Sequence, residues 1–174
     1  MTSTTLEYRD GDVRLKGILV QPEKRRAGSA IVLFPDARGV GAHAIECASR
    51  LAALGYPTLV ADLYGEGIQA RDMTHAGELM RGLRADVDRW RARARASLDA
   101  LSRQEGVDRS RLAALGYCFG GGTSGSAAPW PTSTFALMLA ASAPMRSNAR
   151  GGWLGSAIRR WSQTSMAKAC WRAT

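Results

Sequence analysis

What this sequence lacks is placed unevenly along it. The chain has only two histidines, His43 and His75, and after Cys118 it has no Asp, Glu or His. Its three cysteines (Cys47, Cys118, Cys170) are odd in number and widely spaced. That argues against both a disulfide framework and a zinc site. No apolar run approaches the roughly 18 residues that would mark a membrane span. The opening MTSTTLEYRDGD is polar and lacks the basic-then-apolar plan of a secretory signal. The expectation is a cytoplasmic protein with no metal and no membrane partner.

Charge is the second asymmetry. The chain of 174 residues carries a formal net charge of +9. Residues 1–122 hold 18 of the basic residues and all 15 acidic ones, whereas residues 123–174 hold 6 basic residues and no acid. Four of the five tryptophans, Trp130, Trp153, Trp161 and Trp171, also fall in that second part. With 45% hydrophobic and 22% charged residues overall, the chain as a whole has an ordinary globular composition. An acid-free stretch of this length does not fit that mix. Two units are therefore expected: a domain portion over 1–122 and an atypical basic tail over 123–174. The tail reads as sequence translated out of frame, with a divergent or disordered basic tail as the alternative.

Read in order, residues 4–9 and 13–20 form strands about the turn Asp10-Gly11-Asp12, with Val13, Leu15 and Gly17 alternating against Arg14 and Lys16. Residues 29–34 (SAIVLF) form a continuous apolar run, as in a strand buried on both faces. Pro35 to Gly41 turn into a helix over about 42–54, stopped by Gly55. Residues 56–63 give another buried strand. A helical stretch over about 71–103 is broken near Gly77 or Gly82. Its second half carries a core stripe of Leu83, Val87, Trp90, Ala94, Leu98 and Leu101, with Arg84, Arg89, Arg91, Arg93 and Arg95 on other faces. Asp86, Asp88 and Asp99 interleave with those arginines, so the surface reads as a solvated face and not as a nucleic-acid patch. Alternating strands and helices predict an α/β fold with a mostly parallel sheet flanked by helices. Its active residues should gather in the loops 35–41, 62–67 and 116–122, beyond the carboxyl ends of the strands.

The stretch LAALGYCFGGG (112–122) organises the rest. A short apolar strand runs into Gly116-Tyr117-Cys118-Phe119-Gly120, a nucleophile elbow G-x-S-x-G with cysteine in the serine's place. Flanking glycines let strand and helix backbones approach closely and let the turn hold a strained conformation. The field at the start of the following helix favours a thiolate. A buried cysteine in an ordinary glycine turn is the competing reading of the pentapeptide.

Together, IVLFPDARGVGAHAIECASRLAALGYPTLVADLYGEG (31–67) and GVDRSRLAALGYCFGGG (106–122) resemble the dienelactone hydrolase family of α/β hydrolases over residues 1–122, in order and in spacing. The resemblance implies an α/β-hydrolase fold whose C-terminal third is missing or aberrant here. It also implies hydrolysis of a small-molecule ester or lactone, typically an enol lactone, through an acyl-cysteine without cofactor. It makes Cys118 the nucleophile and puts Asp36 where the family usually has a glutamate contacting the resting thiol. The backbone N–H groups of Ala37 and Phe119 take the oxyanion hole. From position alone, Arg38 and Tyr64 border the mouth and face an anionic substrate. The family's downstream Asp and His have no counterpart here, so impaired activity is expected. A different class of function is a non-catalytic protein whose basic, Trp/Arg-bearing tail binds nucleic acid or an anionic surface. The sequence leaves the oligomeric state open.

Overall fold

The computed structural model describes residues 1–126 and 135–139. Six strands and four helices follow in the order β1 (Thr2–Asp10), β2 (Val13–Gln21), β3 (Gly28–Phe34), α1 (Ala42–Ala53), β4 (Thr58–Val60), α2 (Met73–Arg84), α3 (Val87–Ser102), β5 (Val107–Tyr117), α4 (Phe119–Ser126) and β6 (Phe135–Leu139). The strands lie side by side as β1-β2-β4-β3-β5-β6. The first three are joined antiparallel and the last four are parallel. Residues 135–139 therefore contribute a strand in register with β5, Ala113 opposite Phe135 and Tyr117 opposite Leu139. Residues 127–134 and 140–174, with most of the basic tail and its tryptophans, lie outside the described residues. So does the out-of-frame reading of them.

The hydrophobic patterns explain the layering. Residues 30–34 of β3 are all buried because helices cover both sheet faces. One face packs on α1 through Cys47, Ala48 and Leu51. The other packs on α3 through Ala94, Leu98 and Leu101. The chain leaves β3 for β4 on one side and then returns to β5 on the other. β3 and β5 therefore end together at the topological switch, where a doubly wound sheet opens a crevice.

Three local expectations need correction. The long helical stretch breaks at Ala85–Asp86 and not at a glycine. Asp86 caps α3 by accepting the Arg89 backbone N–H at 2.9 Å, and that capping bond sets the boundary. Gly77 and Gly82 continue inside α2 with open space beside them. Val87 opens α3 and is exposed, as is Val13 at the hairpin end of β2, so neither joins the core. Both stand at the start of an element, beyond the reach of the layer that covers the rest of it. Finally, Arg93 turns inward. Its Nη1 donates to the Leu63 carbonyl at 2.7 Å, and its Nε lies 3.6 Å from an Asp10 carboxylate oxygen.

Two glycines test this packing. A Cβ on Gly120 would overlap the Phe34 carbonyl, a rigid backbone group, whereas one on Gly77 would meet nothing. Gly120→Ala should cost about 2 kcal/mol or more in urea unfolding. Gly77→Ala should gain about 0.5–1 kcal/mol. Equal effects of the two substitutions would contradict the described backbone approach.

Candidate active site

The geometry begins at the end of β5. Phe34 of β3 stands opposite Gly116, and Tyr117 is the last strand residue. Cys118 then takes φ +51°, a left-handed conformation that a cysteine adopts only at some cost in strain. The Gly121 N–H donates to the Cys118 carbonyl at 3.1 Å, and α4 starts at Phe119. A side chain on Gly116 would collide with the Gly120 backbone, and one on Gly120 with Phe34. The two flanking glycines of the motif are thus required by contact between main chains. Cys118 is exposed at the tip, while Cys47 is buried on the core-facing side of α1.

Behind the tip, Phe119 is buried in an aromatic stack. Its ring lies 5.0 Å from that of Trp90 at 8° and 6.1 Å from that of Tyr64 at 16°. The Trp90 Nε1–H donates to Thr123 Oγ1 at 2.8 Å, which ties α3 to α4. Arg84 lies with its guanidinium carbon 5.4 Å from the centre of the Phe119 ring. The sequence reading placed Arg84 on a solvated face. Only the fold brings the end of α2 over the elbow.

The loop after β4 is held by a buried carboxylate. Asp62 accepts backbone N–H groups of Lys16, Tyr64, Gly65 and Gly67 at 2.7–3.0 Å. Its own N–H donates to Tyr8 Oη at 2.9 Å. This pins Tyr64, whose hydroxyl donates to the Ala37 carbonyl at 2.9 Å. Burial pushes the Tyr64 phenol well above its ordinary range. The negative charges of Asp36 and Cys118 add to that, and Arg84 opposes it. Those groups therefore share one electrostatic environment with Tyr64.

Asp36 and Arg38 lie in the loop between β3 and α1. Asp36 accepts the Arg38 backbone N–H at 2.9 Å, and its second oxygen pairs with Arg38 Nη2 at 2.9 Å. Partial burial pushes the Asp36 carboxyl up. The Arg38 hydrogen bonds and charge, with a smaller contribution from His43, outweigh that and hold it below the usual range. The structure thus brings Cys118, Phe119, Ala37, Tyr64, Asp36 and Arg38 to one end of the sheet. The side-chain hydrogen bonds of Asp36 go to Arg38, one residue past Ala37. On the far side of Tyr64, a cavity of about 340 Å³ between α2 and α3 is lined by His75, Glu78, Leu79 and Arg93 among others. Among the described residues there is no cluster of three His, Cys, Asp or Glu side chains suited to a metal, and no helix long and apolar enough to cross a membrane.

Asp62→Ala strands several buried N–H donors at once and should destabilise the fold by on the order of 3 kcal/mol in urea unfolding. A loss below about 1 kcal/mol would mean that water replaces the carboxylate. For Asp36 the sign follows from its lowered carboxyl. Its contribution to stability is complete above the unfolded value near about 3.9. It is lost as pH falls through the folded one. Arg38→Gln should move the Asp36 carboxyl titration upward in NMR. An unmoved titration would contradict the pair.

Comparison with known proteins agrees with this architecture. The dienelactone hydrolase family matches residues 15–139, past Gly122 and through β6. Among solved structures, m3DLH is 42% identical with a TM-score of 0.71, over 76% of this chain and 56% of that one. The dienelactone hydrolase-like promiscuous phosphotriesterase P91 from metagenomic libraries is 38% identical with a TM-score of 0.70 and the same coverage. A dienelactone hydrolase from Anabaena variabilis, at 24% identity and a TM-score of 0.57 over 76% of this chain and 60% of that one, shares the fold. The chain spans a little over half the length of the first two of these proteins. No curated protein matches the sequence. With a strained cysteine elbow at the switch point of an α/β-hydrolase sheet and a family match over most of its length, this chain belongs to the dienelactone hydrolase family.

Proposed function

We propose that the chain is a hydrolase-family protein that takes an acyl group from a small ester or lactone onto Cys118. The observation that carries this is the left-handed, exposed Cys118 between two glycines that cannot be replaced. The sulfur attacks the carbonyl carbon, the C–S bond forms, and the carbonyl electron pair moves to oxygen. The N–H groups of Ala37 and Phe119 receive that oxyanion, a stabilisation worth about 3 kcal/mol per donor in comparable sites. Collapse expels the alkoxide, which leaves as the alcohol after protonation, and water later cleaves the thioester to release the acid. Asp36 shapes the same loop through Arg38, and Arg38 and Tyr64 border the substrate on that side. No cofactor takes part in this scheme.

The downstream acid and base of the α/β-hydrolase triad have no Asp, Glu or His to supply them in residues 119–174. Acylation therefore outruns release, giving a stoichiometric burst with slow turnover. A nucleophile that must stay a thiol suits a reducing compartment such as the cytoplasm. Because the 38% identical relative is described as a promiscuous phosphotriesterase, phosphotriesters are a second substrate class to assay.

The test is mass spectrometry after brief exposure to p-nitrophenyl acetate. One acetyl group should appear on Cys118, faster than on Cys47 or Cys170, and Cys118→Ala should abolish both the adduct and the nitrophenol burst. Labelling of Cys118 no faster than of Cys170 would refute the activated nucleophile.

A further inference from the structure

A thiol that attacks an ester must pass its proton to a base. Of the two histidines, His75 stands across Tyr64 on α2, where its Nδ1 accepts the Arg71 backbone N–H at 3.3 Å. His43 stands elsewhere. It is the second residue of α1, at the same end of the sheet as the elbow, and its imidazole packs edge-on against Tyr117 with ring centres 6.1 Å apart at 62°. Tyr117 immediately precedes Cys118, about 3.8 Å away between Cα atoms. Cys118 is exposed and His43 half-buried, so both side chains reach solvent at that end of the sheet. The Asp36 loop leads into α1, and its carboxylate feels the His43 charge favourably.

We propose that His43 is the catalytic proton acceptor for Cys118 in this chain, seated beside the elbow by Tyr117 at the start of α1. This rests on the acyl-transfer reading of Cys118. The Sγ–H proton passes to a ring nitrogen of His43 as the C–S bond forms. The imidazolium then gives that proton to the departing alkoxide, so thioester and alcohol leave the step with charge and protons balanced. Asp36 steadies the imidazolium as a positioning residue. The groups that meet His43 are the Asp36 carboxylate of the β3–α1 loop, through its charge, and the Tyr117 ring of β5.

The experiment follows acetylation of Cys118 by p-nitrophenyl acetate from about pH 5 to about pH 10, which spans the histidine and thiol titrations. It compares the unaltered chain, His43→Gln, His43→Asn and, as a control, His75→Gln. Either His43 variant that keeps the parent melting temperature should acylate about a hundredfold more slowly. It should also lose the lower inflection of the pH profile, keep the higher one, and regain rate with added imidazole. His75→Gln should match the parent. Fast acylation with an unchanged pH profile in a folded His43 variant would overturn His43 as base and leave Cys118 as nucleophile. Absence of Cys118 acylation in the unaltered chain would overturn both.

Discussion

The close approach of three main-chain segments at Gly116, Gly120 and Phe34 is the constraint on which the rest of this structure depends. Gly116 ends the apolar part of β5 against the backbone of Gly120, and Gly120, the second residue of α4, lies against the carbonyl of Phe34 at the end of β3. With no side chain between them, strand, helix and neighbouring strand close to contact distance, and the chain between them has no relaxed path. Cys118 absorbs the difference by taking a left-handed φ. That conformation costs of order 1–3 kcal/mol. It is sustained by the buried sheet on one side of the turn and by the Phe119 stack on the other. The exposure of the thiol is thus a consequence of backbone packing.

The second layer of the design fixes the loops around that tip. Asp62 gathers N–H groups from two segments, so the chain after β4 folds back to place Tyr64. Tyr64 in turn holds the Ala37 carbonyl through its hydroxyl and stacks on Phe119. The two residues whose N–H groups are assigned to the oxyanion are therefore linked through one side chain. Asp36 and Arg38 pair with each other in the same loop as Ala37, so the Asp36 carboxylate is not left as a lone negative charge.

Much of this was legible in the sequence because it is written in local patterns. The apolar run of β3, the alternation in β2, the glycine spacing around Cys118 and the stripe of α3 each follow from the period of one element. The glycines at 77 and 82 point to a helix break that capping by Asp86 instead sets four residues past Gly82. Asp86 gives a bond, whereas an exposed helical glycine costs only about 1 kcal/mol. Arg93 and Arg84 were missed because their surroundings come from segments remote in sequence. Arg93 finds Leu63 and Asp10, and Arg84 finds Phe119, only once the sheet has formed. Asp62 likewise looks like any loop aspartate until the N–H groups that converge on it are known.

These contacts also separate two parts of hydrolase chemistry that are usually discussed together. Among the described residues, the groups that shape the Cys118 turn belong to β3, β5, α2, α3, α4 or the loop after β4. None of them is the base or acid that an α/β-hydrolase takes from beyond its nucleophile. The strain that presents the thiol is a packing property, settled once the parallel strands pair and Phe119 is buried. The proton's destination is a separate matter of which imidazole lies at that end of the sheet. A chain of this family can therefore hold a fully formed elbow whatever serves as its base.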